Sequence, residues 1–150
     1  MLRDDAAYFA SRYEDAVREP DEWWRRWVSE ADGTAKVLFV VVEGDAWLGV
    51  VGGFVRVDPS EVHLISMWVA PEARGRGLAQ ALIQALAEWT LERGAARILL
   101  FVQESNAPAR GLYARSGFER TGTREPIGKG RAGFKLLLGA DAERLTAGTP

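Results

Sequence analysis

The interval between apolar residues changes along the chain, and each change marks a different kind of element. From Asp4 to Arg18, Ala7, Phe9, Tyr13, Ala16 and Val17 recur at roughly helical spacing, and Pro20 ends the segment. Pro20, Asp21 and Glu22 suit the first turn of a second helix, where a proline loses no hydrogen bond and acids meet the positive end of the dipole. Trp23, Trp24, Trp27 and Val28 form the apolar stripe of that helix, which breaks at Asp32-Gly33. From Lys36 the period shortens. Val37 to Val42 is a β-branched run, Gly44-Asp45 signals a turn, and Ala46 to Val57 reads as a second strand. Gly49, Gly52 and Gly53 inside it imply bulges or close backbone approach. Asp58-Pro59-Ser60 turns the chain again and Val62 to Val69 is a third strand, so 36–70 predicts an antiparallel meander.

The clearest helix runs from Leu78 to Arg93, with Leu78, Leu82, Leu86 and Trp89 on one stripe and Gly94 as its C-terminal cap. Arg97 to Val102 is nearly continuous in apolar residues, as a buried parallel strand requires. A short helix is expected from Asn106 to about Arg115, ended by Ser116-Gly117, and Phe134 to Leu138 reads as a last strand. Residues 139–150 read as a polar, disordered C-terminal tail after a single domain spanning 1–138. The stretch 62–116 is thus a strand–helix–strand–helix unit with a right-handed crossover.

Composition narrows the function. A chain of 150 residues with 47% hydrophobic and 27% charged residues fits one soluble globular domain. A net charge of −2 argues against general nucleic-acid binding. The absence of cysteine removes disulfides, thiolate metal sites and thiol nucleophiles, and a single histidine, His63, makes a multi-ligand metal site unlikely to form, so no metal is expected. Apolar runs of about seven residues span no bilayer. A cytoplasmic protein without membrane partners is expected.

The segment Pro71-Glu72-Ala73-Arg74-Gly75-Arg76-Gly77-Leu78-Ala79 joins a strand to the long helix. Two glycines let the backbone turn tightly and aim several N–H groups into one concavity. The helix start adds its positive dipole end, and Arg74 and Arg76 add full charges, so the loop favours an anion such as a phosphate or pyrophosphate. A dinucleotide fingerprint fails because Gln80 stands where a third small residue is needed. A Walker loop fails because Gly128-Lys129 is followed by Gly130, and no G-x-S-x-G elbow is present. Taken alone, the loop could equally be a turn with two solvated arginines.

Arg74-Gly75-Arg76-Gly77-Leu78-Ala79 resembles the R/Q-x-x-G-x-G/A pattern of the GNAT superfamily of acyl-CoA-dependent N-acyltransferases. The resemblance extends upstream through Met67-Trp68-Val69-Ala70-Pro71-Glu72-Ala73. It continues from Asn106 to Phe118, a stretch similar to the family's N-x-x-A-x-x-L-Y-x-x-x-G-F. Two motifs in order, over about residues 63–118, are far more specific than the loop alone. The resemblance implies an α+β fold: a mixed, mostly antiparallel sheet with helices on both faces and a central strand–helix–strand cofactor site. It implies that acetyl-CoA serves as co-substrate, with its pyrophosphate on the amides of Gly75, Gly77, Leu78 and Ala79 beside Arg74 and Arg76. Its pantetheine arm would lie between the splayed 62–69 and 97–102 strands, against backbone near Met67, Trp68 and Val69, where splaying leaves polar groups unpaired.

The implied reaction is direct attack of a primary amine, from a small molecule or a peptide, on the acetyl thioester. An alkylammonium with pKa near 10.4 must first lose a proton, which costs about 4.6 kcal/mol at pH 7. Tyr113 matches the family's proton donor to the departing thiolate; the alternative is a core aromatic beside Leu112 and Phe118. His63 is the candidate base, sharing a strand face with Ile65, Met67 and Val69 by period-two counting; the alternative is a partly exposed strand histidine. Glu61 is its substitute, and water alone is a third possibility. Asn106 either binds the cofactor or a relay water, or simply caps its helix. Trp23, Trp24 and Trp27 either line the acceptor site or pack in the core, and Arg124, Glu125 and Lys129 sit in a glycine-rich segment able to fold over the acceptor.

The family opens with a strand that this chain does not show before its first helix, so either the chain is a shortened version or its start lies upstream. A missing strand leaves the 36–42 or 46–57 strand as a bare sheet edge, which a homodimer could cover. Two other functions compete with catalysis: an acyl-CoA-binding sensor without turnover, and a phosphate-binding interaction domain.

Overall fold

A computed structural model describes residues 29–128 and 130–148. The helices expected over 4–18 and around Trp23, Trp24, Trp27 and Val28 lie outside the described residues, as do Lys129 and 149–150. Six strands form one sheet: β1 (Lys36–Glu43), β2 (Ala46–Val55), β3 (Glu61–Val69), β4 (Arg97–Gln103), β5 (Glu119–Gly128) and β6 (Arg131–Asp141). Their spatial order is β1-β2-β3-β4-β6-β5, with every neighbouring pair antiparallel except β3 and β4. Asp58 closes the β2–β3 turn, its carboxylate accepting from the Ser60 amide and hydroxyl at 2.9 and 2.7 Å.

Helix α1 (Leu78–Glu92) crosses from β3 to β4 and buries Leu82, Ile83, Leu86, Ala87, Trp89 and Thr90. Two of the strand glycines explain how closely it lies. A Cβ on Gly49 would stand 3.1 Å from Leu82 Cδ1, and one on Gly53 would overlap Leu86 Cδ1 outright. Of the two meanings offered for glycines in this strand, these positions take close approach. Helix α2 (Ala107–Ser116) lies beside α1, tied to it by the Ser116 hydroxyl donating to Gln80 Oε1 at 2.9 Å. The core between sheet and helices includes Val51, Val62, Leu64, Ile98, Leu100, Val102, Leu136 and Leu138. The three described helices share that face.

The C-terminal part departs from expectation. Residues 139–148 are no disordered tail: β6 continues through Asp141, and α3 (Ala142–Thr146) buries Ala142 and Leu145 completely among core residues. Two apolar residues in a short polar segment suffice because α3 packs on α1 and needs only one turn of contact. Residues 119–128, read as a glycine-rich cover, form β5, paired to β6 and exposed on both faces. Such an edge strand has no buried side and so no alternation to read, and it tolerates Pro126. Trp47 is 57% exposed on the β1–β2 hairpin.

Candidate active site

β3 and β4 are paired through three rungs only: Glu61 with Arg97, Val62 with Ile98 and His63 with Leu99. Past that point β3 stays on β2 as far as Val69 and β4 stays on β6 as far as Gln103, so the two diverge, and no described strand pairs with the margins that face each other. Ser66 lies just past the point where the strands part. It has φ +56°, unusual for a residue with a side chain, and the β2 register jumps from Gly52–Ile65 to Val50–Trp68. Two residues of β3 therefore oppose Val51, a bulge that bends the strand.

The bulge also reverses the side-chain alternation. Val62 and Leu64 face α1, and after Ser66 it is Met67 and Val69 that pack on the same core, with Val69 next to Gly49. His63 therefore does not share a face with Met67 and Val69; it lies on the opposite side with Ile65, because one inserted residue breaks period-two counting. Nor is it a partly exposed histidine. It is buried, stacked on Phe54 at 5.3 Å between centroids and on Phe101 at 5.7 Å, with Arg56 Nη1 at 3.1 Å from Nδ1. Desolvation, followed by the charges of Arg56 and Lys135, lowers its pKa to about 4. A base of that strength stands roughly six units below an alkylammonium.

Beyond the wide end of the cleft, Pro71–Ala73 forms a 3-10 turn that anchors the glycine loop through buried Ala73. Gly75 and Gly77 have φ +77° and +80°, and Gly77 is the N-cap of α1. The first α1 amide with a backbone acceptor is that of Ala81, bonded to Gly77 O at 3.1 Å, so the amides from Gly75 to Gln80 are left for another acceptor. The two arginines differ in role. Arg74 folds back, its Nε donating to Val69 O at 3.1 Å and bracing the loop against the end of β3, while Arg76 extends outward at 3.7 Å from Glu43.

Asn106 caps α2, its side-chain oxygen accepting from the Ala109 amide at 3.1 Å. Tyr113 is buried edge-on against Phe118, 5.6 Å between centroids, and burial pushes its phenol above the ordinary range. His63 and Tyr113 thus approach the β3–β4 region from opposite faces. Sequence reasoning gave no role to Gln80 in the first turn of α1 or to Gln103 at the end of β4. Their Nε2 atoms are the buried side-chain polar atoms without a partner among the described residues. Arg124 and Glu125, expected near the acceptor, are held in pairs on the outer strands, Arg124 to Glu104 at 2.8 and 3.0 Å and Glu125 to Lys135 at 3.6 Å.

The sequence profile of the acetyltransferase (GNAT) family matches residues 1–118. The chain belongs to the GNAT acetyltransferase family. Among relatives, a mycothiol acetyltransferase of Nocardioides sp. is 34% identical over 118 residues, covering 76% of this chain and 38% of that protein. A streptothricin acetyltransferase of Streptomyces lavendulae is 32% identical over 108 residues, covering 69% and 56%. The chain thus spans well under two thirds of the length of these relatives. The crystal structure of nourseothricin acetyltransferase superposes with a TM-score of 0.66 at 28% identity, over 72% of this chain and 66% of that one. An aminoglycoside 6'-N-acetyltransferase complexed with coenzyme A shares the fold at TM-score 0.69 and 14% identity, over 85% and 83%. The mixed, mostly antiparallel sheet read from the motifs is that of these GNAT neighbours. No described helix is long and apolar enough to cross a membrane.

Proposed function

We propose that this chain transfers the acetyl group of acetyl-CoA to a primary amine by direct attack on the thioester. The observation that carries the reading is the cleft itself: a parallel pair that opens after three rungs and ends at a loop of unbonded amides on a helix N-terminus. A pyrophosphate fits the amides of Gly75, Gly77, Leu78 and Ala79, with Arg74 bracing and Arg76 adding charge. A pantetheine arm fits the margin of β3 near Met67 and Val69 that turns away from β4, much as an added strand would, with Asn106 at the head of α2.

As the amine nitrogen bonds to the acetyl carbon, the C–S bond breaks and the sulfur takes up a proton. Tyr113 supplies the hydrogen bond to that sulfur; its raised pKa makes proton delivery late and the hydrogen bond the larger contribution. The ammonium proton leaves to water, because His63 is too weak a base in its pocket. Relatives named mycothiol, streptothricin and nourseothricin acetyltransferases support a small-molecule amine acceptor. Among the described residues β1 is a sheet edge with Val40 and Val42 exposed, which supports pairing with a second copy there; a monomeric sedimentation profile refutes that point.

The test is a panel of primary amines assayed for free-thiol release from acetyl-CoA, alongside calorimetry of acetyl-CoA binding. Release with at least one amine is expected. Tight binding without release across the panel establishes a sensor instead, and no binding at all overturns the site.

A further inference from the structure

The geometry points to His63 as a hydrogen-bond donor that holds an oxygen of the acceptor next to its attacking amine, and so as a residue that selects amines bearing such an oxygen. This inference rests on the acetyl-transfer reading above. The described helices and the glycine loop occupy one face of the sheet, which leaves the other face for the approach of the acceptor. His63 lies on that face, on the last rung before β3 and β4 part, so its ring edge borders the closed end of the cleft.

The tautomer follows from donor arithmetic. A guanidinium carries donors and no acceptor, so the 3.1 Å contact from Arg56 Nη1 requires Nδ1 to be the bare nitrogen and places the proton on Nε2. Phe54 and Phe101 clamp the ring from two strands, Phe54 lying only 11° from parallel, which holds the ring in plane. Nε2–H has no partner among the described residues. The charged groups around the ring are Arg56 on the β2–β3 connection and Lys135 on β6, the latter 4.2 Å over Phe101 and paired with Glu125; Glu61 stands two residues away on β3.

What an acceptor meets at this end of the cleft is therefore an N–H and a guanidinium. The charges acting on the ring, Arg56 and Lys135, are both positive and repel a second ammonium. A carbonyl or hydroxyl oxygen close to the amine accepts from Nε2–H. Amino amides and amino sugars satisfy that requirement, and bare alkyl diamines do not.

The experiment compares alaninamide and glucosamine with propylamine and 1,4-diaminobutane, on the whole chain and on two variants. His63→Phe keeps the stacking and deletes the donor, whereas His63→Gln restores an amide N–H. His63→Phe is expected to raise KM for alaninamide and glucosamine about three- to tenfold, with partial recovery in His63→Gln. KM for propylamine and for acetyl-CoA should not move. Reading each ratio between wild type and variant cancels the differing basicity of the amines. Equal losses on all four amines overturn the inference, as does an acid limb in wild-type kcat near the ordinary histidine range that His63→Phe removes, since that limb marks a base.

Because the chain has one histidine, nitrogen NMR of labelled protein reads this ring alone. Protonated Nε2 and bare Nδ1 are expected throughout about pH 5.5 to 8, with the Nε2–H signal shifting on addition of alaninamide. A protonated Nδ1, a titration in that window, or a signal unmoved by alaninamide overturns the assignment. If no amine releases CoA, the acetyl-transfer reading falls, and the NMR result still decides His63 by itself.

Discussion

Gly53→Ala tests whether the seat of α1 is set by the absence of side chains on β2. The new methyl would collide with Leu86 Cδ1 and lie 3.4 Å from Val62 Cγ1 and 3.6 Å from Leu86 Cδ2. Leu86 and Val62 are fully buried, so neither can swing into solvent, and the helix or the strand has to move. Overpacking of this kind costs about 1–3 kcal/mol. For a domain of this size that lowers Tm by roughly 3–10 °C. Leu86→Ala alone should cost about 2–5 kcal/mol through the cavity it leaves. In the double variant the alanine methyl occupies part of that cavity. Its destabilisation should fall short of the sum of the singles by more than about 1 kcal/mol. Urea unfolding followed by tryptophan fluorescence measures all four corners of the cycle. Additivity to within about 0.5 kcal/mol refutes the collision and, with it, the explanation of the strand glycines. The variant should also weaken acetyl-CoA binding, because α1 carries Gly77 and Leu78 at its head.

Gly77→Ala meets no steric obstacle, since nothing lies within 4 Å of the added methyl, yet it forces an L side chain to φ +80°. That costs about 1–2 kcal/mol and should loosen acetyl-CoA binding about tenfold by calorimetry; unchanged affinity refutes the amide cradle. Tyr113→Phe should lower kcat about a hundredfold while leaving the acetyl-CoA Kd in place, and full turnover removes Tyr113 from the mechanism. His63 makes the fold acid-sensitive in a defined window. Its pKa is about 4 folded and 6.5 unfolded, so as pH falls from 6.5 toward 4 the unfolded chain takes a proton that the folded one refuses. Stability present above pH 6.5 should drop by about 3 kcal/mol across that window. Urea midpoints at several pH values check the slope, and a slope that persists in His63→Phe refutes the assignment. Asn106→Ala should cost about 1 kcal/mol through loss of the α2 cap, measured the same way.

The parts legible in the sequence are those where one physical demand controls several residues. The stripe Leu82, Leu86 and Trp89 had to be helix, the run at Ile98 to Val102 had to be buried on both sides, and Gly75 and Gly77 had to turn tightly before a helix start. The illegible parts obey non-local demands. β5 is held by pairing with β6 and presents no apolar face, and α3 is held by two side chains on a surface that α1 supplies. The bulge at Ser66 leaves no mark in composition, since serine is ordinary in a strand and its positive φ is imposed by the register on β2. One unread residue was enough to put His63 on the wrong face. Its burial was equally hidden, because Phe54 comes from the end of β2, Arg56 from just past it and Phe101 from β4.

Three rungs are a short seam for six strands. β1, β2 and β3 make one panel and β4, β6 and β5 another, and beyond Leu99 they are joined through the helix layer beneath. A guest molecule inserted between the panels acts as mortar. At a hundred times its dissociation constant it would add about 2.7 kcal/mol to the whole wall. Amide exchange should then slow on both facing margins together, and a protease challenge should be resisted in proportion to how full the gap is kept. If the guest is the proposed acetyl-CoA, the durability of this chain is coupled to the acyl donor supply around it.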